Sequence, residues 1–243
     1  MFKLNKIMYI DPVGPEGACP ELIKDLEKVK RENTRIEFTC LKKGPKHLEY
    51  RYYGAIILPE LLDLLKSLEK DGYDAAIIGC FYDPGLYEAK EILNRMVVTA
   101  PAESSVQIAA TLGHRFSILV GRQKWVPQMM ENIIKYGLKD KLASFKILGF
   151  TPDSLHEDEK LTFEKMKEKA KEAVEVDGAE VIILGCTMSY GFYEKLQDYL
   201  NVPVIDPVVA SLKYAEFLVD IRDRAGWYNS KKYAFESLYL EDF

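Results

Sequence analysis

The chain has 243 residues, with 33 Lys and Arg against 38 Asp and Glu, a formal net charge of −5 and a pI near 5.4. A hydrophobic share of 48% with 29% charged residues is ordinary for a globular protein with an ample core; the acidic balance and the lack of a basic stripe exclude nucleic acid as a main partner. No apolar run approaches the roughly 18 residues needed to cross a bilayer, and the start MFKLNKIMYIDP lacks the features of a signal peptide, so a cytoplasmic location with no membrane contact is expected.

In chain order, residues 6–10 read as a first strand, followed by the loop DPVGPEG and a helix over about 20–32. Asp11 and Glu16 lie in this loop, either facing a ligand at the sheet edge or serving as turn and helix cap. Residues 35–41 form a second strand that carries Cys40. The polar stretch HLEYRYYG then precedes a long amphipathic helix over about 55–70, with Leu58, Leu61, Leu62, Leu65 and Leu68 at helical spacing. That stripe is core or a subunit interface, and a homo-oligomer is expected. Strands follow at 75–78, 97–99, 116–120, 145–150, 181–184 and 202–205. Helices lie between them, at 86–93, 104–112, 124–135, up to about 173, 192–200 and 208–219; the charge of the one ending near 173 is read as a solvated face. The tail DRAGWYNSKKYAFESLYLEDF is aromatic and irregular, and is expected to pack on the surface of a lobe.

Two stretches of this pattern are one pattern. Residues 72–105 and 178–211 align at a single offset without a gap: Gly72 meets Gly178, Gly79-Cys80 meets Gly185-Cys186, Gly85 meets Gly191, Tyr87-Glu88 meets Tyr193-Glu194, Pro101 meets Pro207 and Ser105 meets Ser211. In each copy a short, continuous apolar run, as in a buried parallel strand, stops at Gly-Cys before a loop and a helix. Each cysteine therefore falls at the carboxyl end of a parallel strand, where open α/β sheets bind ligands, and near a helix N-terminus, which favours a thiolate. Alternation of strands and helices implies an α/β fold of two pseudo-symmetric, doubly wound lobes with mainly parallel sheets. The expected division is residues 1–98 plus 206–243 for one lobe and 99–205 for the other, with both cysteines in the cleft between them.

The four cysteines, Cys19, Cys40, Cys80 and Cys186, show no CxxC spacing, and His47, His114 and His156 have no metal-type spacing to one another or to a cysteine. No metal site is expected. Cys40 reads as strand packing and Cys19 as incidental to its loop, whereas Cys80 and Cys186 occupy equivalent positions of a repeat. Two thiols facing one carbon can invert it: one thiolate removes a proton from one face while the opposing thiol delivers another to the opposite face. Backbone N–H groups at the helix starts would hold the enolate, and no cofactor is required.

The segments IIGCFYDPGLYEAKEI, APAESS, HRFSIL, ILGCTMSYGFYEKL and VPVIDPV resemble the hydantoin and allantoin racemases of the aspartate/glutamate racemase superfamily, over the chain from the first strand to about Leu218. The resemblance implies that Cys80 and Cys186 are paired acid/base residues. It implies that Tyr82, Asp83 and Pro84 form the first cysteine loop, that Glu103 is the family's acidic position after the strand at 97–99, and that Thr187 holds the substrate. Phe81 and Asp11 are counted with the substrate-contacting positions. Where the family's first loop reads Asn-Pro-Asn this chain has Asp11-Pro12-Val13, and where hydroxyl residues follow FSIL it has Val120-Gly121-Arg122, so that Arg122 is placed to bind a carboxylate. A small-molecule substrate is expected. A 5-substituted hydantoin or allantoin comes first; an amino-acid racemase of the aspartate/glutamate type, a one-cysteine isomerase or decarboxylase, and a non-catalytic binding protein remain as alternatives.

Overall fold

The computed structural model describes residues 3–237. Among these residues eight strands form two four-stranded sheets, parallel throughout. The first contains β1 (Asn5–Asp11), β2 (Thr34–Cys40), β3 (Ala75–Ile78) and β4 (Val97–Thr99) in the order β2-β1-β3-β4. The second contains β5 (Phe116–Val120), β6 (Leu142–Ile147), β7 (Val181–Leu184) and β8 (Val204–Ile205) in the order β6-β5-β7-β8. The two orders are the same, so the duplication seen around the cysteines extends to whole sheets. β3 and β7 are fully buried, as continuous apolar runs in parallel sheets should be.

The helices are α1 (Ile23–Val29), α2 (Arg51–Lys70), α3 (Leu86–Ile92), α4 (Pro101–Leu112), α5 (Val126–Lys135), α6 (Glu159–Glu175), α7 (Tyr193–Leu200) and α8 (Pro207–Ala225). Leu61, Leu65 and Leu68 of α2 are buried and belong to the core, while Leu58 and Leu62 are half-buried. On α6 the charges pair along the exposed surface, Lys165 with Glu168 and Lys169 with Glu172. Among the described residues no helix is long and apolar enough to cross a membrane.

Among the boundaries that differ from the sequence reading, three have a plain physical reason. The strand expected at 145–150 runs from Leu142 to Ile147; this sheet-edge strand is half-exposed at every position, so no apolar run marks it. α4 starts at Pro101 rather than at Ser104, because proline at a first helical position loses nothing by lacking an N–H and already has the required φ. α2 starts at Arg51, taking in tyrosines that read as a polar lead-in.

By its internal contacts the chain divides into two compact units. One comprises residues 1–79, 84–100 and 212–243; the other comprises residues 80–83 and 101–211. In the first, α8 is latched to the start of β3: the Arg222 guanidinium donates to the Asp74 backbone oxygen at 2.9 Å and to its carboxylate at 3.0 Å, and Lys3 also pairs with that carboxylate. Beyond α8, the Tyr228 hydroxyl donates to the Leu93 and Met96 oxygens, Lys231 Nζ donates to the Lys90 and Glu91 oxygens, and Phe235 packs edge-on against Tyr87. The tail up to Ser237 is thus fastened along α3 and the turn after it; the rest of the aromatic tail, 238–243, lies outside the described residues.

Candidate active site

In an order such as β2-β1-β3-β4 the chain moves outward in one direction and then restarts on the other side of β1, which leaves a crevice at the carboxyl ends of the two central strands. In the first sheet those ends are Asp11 of β1 and Gly79, whose N–H extends the ladder to Ile10 O at 2.8 Å. In the second they are the Gly121-Arg122 step after β5 and Gly185, whose N–H donates to Leu119 O at 2.7 Å. Cys80 and Cys186 are the next residues after these two glycines, and both are partly exposed thiols outside any disulfide.

The glycine before each cysteine is required by space. A Cβ on Gly79 would lie 2.4 Å from the Tyr9 ring, and one on Gly185 would lie 2.6 Å from Leu119 O. The turns that follow are also alike: Cys80 O accepts the Asp83 N–H at 2.9 Å, and Cys186 O accepts the Ser189 N–H at 3.0 Å. Each turn then reaches a left-handed glycine, Gly85 at φ 71° and Gly191 at φ 81°, conformations that side chains resist.

The supports of the two turns differ. Asp83 is buried and itself left-handed at φ 50°. Its Oδ1 accepts the Ala102 N–H at 2.8 Å; its Oδ2 accepts the Glu103 N–H at 2.7 Å and the Tyr136 hydroxyl at 2.7 Å. Asn132 of α5 donates to Tyr82 O at 2.8 Å. Burial pushes the Asp83 carboxyl up to about 7, with the Glu103 charge adding and these three donors opposing. The Cys186 turn is held by an imidazole instead. His156 Nε2 lies 2.9 Å from Met188 O, its Nδ1 lies 3.2 Å from Glu159, and its ring packs against Tyr190 and Phe192.

The other positions singled out from the sequence fall as follows. Asp11 is buried at the end of β1, accepts the Cys19 N–H at 3.0 Å, and is pushed up to about 6 by burial, which that N–H opposes. Cys19 is thus the backbone partner of Asp11. Cys40, paired with Asp11 across β1 and β2, has its thiol pushed up by burial and then by the charges of Asp11 and Glu60. Glu16, the other acid of that loop, is exposed and pairs with Lys46 at 3.1 Å. Glu103 is 9% exposed in the first turn of α4. Arg122 is half-buried, and its backbone oxygen accepts the Trp125 N–H at the turn leading into α5. Thr187 opens the turn after Cys186. Tyr82 is half-buried, whereas Phe81 is 3% exposed within the hydrophobic core of its unit, beside Ala102, Val106, Trp125 and Met129, and so contributes packing.

Cys80 and its loop, Glu103, Arg122, Cys186 and Thr187 all belong to the unit built on the second sheet, whereas Asp11 belongs to the other. Sequence reading missed Tyr136, Asn132 and His156, which hold the two turns; none lies in the repeat, and their partners are distant in the chain. Among the described residues no group of three or more His, Cys, Asp or Glu is arranged to hold a metal. The arrangement offers two thiols on matching turns, with backbone N–H groups and hydroxyls around them, which is equipment for proton transfer at carbon.

The model of the Asp/Glu/Hydantoin racemase family matches residues 7–215. A hydantoin racemase from a Pseudomonas species is 34% identical over 242 residues, covering 98% of this chain and 96% of its own. A hydantoin racemase from Paenarthrobacter aurescens is 33% identical, covering 97% and 100%. Among solved structures, an allantoin racemase from Klebsiella pneumoniae aligns with a TM-score of 0.87 and 27% identity over 97% of this chain and 94% of that one.

Proposed function

The chain belongs to the Asp/Glu/hydantoin racemase family of isomerases, and on that premise we propose that it interconverts the enantiomers of a 5-substituted hydantoin or of allantoin by proton transfer between two cysteines, without a cofactor. The observation that carries this reading is the repeated turn: Cys80 and Cys186 follow equivalent central strands of identically ordered sheets, each after a space-restricted glycine and each closed by the same backbone hydrogen bond.

In this reading the thiolate of one cysteine takes the proton from the stereogenic carbon of the ring. The electron pair passes into the adjacent carbonyl as an enolate, which backbone N–H groups stabilise. The thiol of the other cysteine then protonates the opposite face. The first cysteine ends as a thiol and the second as a thiolate, so the enzyme is left ready for the reverse direction. Glu103, Thr187 and Tyr82, on the same unit as the two cysteines, contact the ring.

A second reading rests on Arg122. This cation follows β5, the strand beside β7, and so stands at the same carboxyl edge as Cys186. A guanidinium there suits a substrate carboxylate, as in an amino acid.

The test is the decay of circular dichroism of enantiopure 5-substituted L-hydantoins, allantoin, L-aspartate and L-glutamate with wild type, Cys80→Ser and Cys186→Ser. Decay of a cyclic ureide with wild type and with neither variant is expected. Decay of the amino acids alone selects the Arg122 reading. One dispensable cysteine points to one-thiol chemistry, and no decay with folded protein overturns racemisation of these compounds.

A further inference from the structure

We propose that Asp83 is a positioning residue that sets the placement of Cys80, doing so through α4 and α5 rather than by touching substrate. Its backbone and its side chain work in opposite directions along the chain. The N–H fixes the Cys80 carbonyl at 2.9 Å, and the carboxylate fastens that same turn to the Ala102 and Glu103 N–H groups and to the Tyr136 hydroxyl, all between 2.7 and 2.8 Å.

Three features separate this role from that of an ordinary turn residue. The carboxylate is buried, so water cannot replace its partners, and a lost donor leaves a buried group unsatisfied. The backbone is left-handed, a conformation a non-glycine residue holds only when its surroundings enforce it. Finally, the cap is supplied from the cysteine loop. At the equivalent point of the repeat the first turn of α8 is capped from its own N-terminus, Asp206 Oδ1 accepting the Val208 N–H at 2.8 Å and the Val209 N–H at 3.2 Å. In the first copy the cap has moved onto the turn that carries the thiol, so the start of α4 and Cys80 are fixed by one side chain. The position of Glu103 is fixed with them, because its own N–H is one of the three donors.

The proposal rests on the reading of Cys80 as a reacting thiol, yet its test needs no turnover. Iodoacetamide is applied to the folded protein, and alkylation of Cys80 and of Cys186 is followed separately by peptide mass spectrometry, Cys186 serving as the reference within each molecule. For Asp83→Asn, which puts an amide N–H against donors, the ratio of the two rates changes about fivefold, the equivalent of one net hydrogen bond. For Tyr136→Phe, which removes one donor and leaves the backbone caps, the ratio moves in the same direction by less. Asp206→Ala removes the corresponding cap on α8 and leaves the ratio unchanged. A ratio unaltered in both folded Asp83→Asn and Tyr136→Phe overturns the proposal, as does an equal change in Asp206→Ala, which reports general loosening. If Asp83→Asn does not fold, Tyr136→Phe decides alone. A racemase assay on the same variants separates the two claims: an altered thiol ratio in a protein that racemises nothing leaves the positioning role standing and removes the proposed function.

Discussion

Two buried carboxyls titrate far above their ordinary range. Asp83 is pushed to about 7 and Asp11 to about 6, burial being the largest cause in both. In the unfolded chain an aspartate titrates near 3.8, so in the interval between, the folded state binds more protons than the unfolded one. Stability contributed by Asp11 is therefore fully present below about pH 4 and declines as the pH rises through about 6, by roughly 1.4 kcal/mol for each pH unit of that interval. Asp11→Asn retains an acceptor for the Cys19 N–H and cannot ionise. Urea denaturation between pH 4 and 6 is expected to give a flatter pH dependence for this variant than for wild type, and equal slopes would refute the assignment. Asp83 adds a decline of the same sign that extends to about pH 7. The glycines before the cysteines set a second limit at this scale. Gly185→Ala meets the Leu119 backbone oxygen at 2.6 Å and the buried Ile118 side chain at 2.8 Å, so a cost of about 1–3 kcal/mol is expected.

At the scale of elements, legibility followed the locality of the forces. β3, β5 and β7 were readable to the residue because each is a buried apolar run whose ends are marked within the run itself. β6 was misplaced because an edge strand is fixed by the partner it pairs with, and the pattern of Leu142 to Ile147 does not name β5. The start of α4 was missed for a related reason: its cap, Asp83, lies 19 residues before Ala102 and 20 before Glu103, beyond the reach of any capping motif. Both cysteine turns were legible from the repeat, but the residues that brace them were not, since Tyr136 and His156 become neighbours only after the chain has folded. α3 shows the same dependence on distant residues. Its late carbonyls at Lys90 and Glu91 are served by Lys231 from the tail, and those of the turn after it, at Leu93 and Met96, by Tyr228. Tyr228→Phe leaves the Leu93 and Met96 oxygens without this donor, and a loss of about 1 kcal/mol in denaturant unfolding is expected. A loss within error would mean that water replaces the hydroxyl.

For the molecule as a whole, the repeat builds two sheets of one order, yet the division into units does not respect the copies. The loop 80–83 follows a strand of the first sheet and belongs by its contacts to the unit of the second. Phe81 is its anchor, packed among Ala102, Val106, Trp125 and Met129. Phe81→Ala is expected to cost about 3–5 kcal/mol, as for other large-to-small changes in a core. The loss should appear in the unfolding of the unit built on the second sheet, followed by hydrogen exchange of β5 and β7. Protection unchanged there would contradict the packing.

The loop also has a consequence for how the chain is made. During synthesis residues 80–83 leave the ribosome before any strand of the second sheet exists, and the hydrophobic cluster that includes Phe81 extends along the chain to Val181, Ile205 and Ala210. The turn carrying Cys80 is thus synthesised before the cluster that includes its anchor is complete. A nascent chain arrested before β7 would carry the first cysteine with this cluster still lacking Val181, Ile183, Ile205 and Ala210.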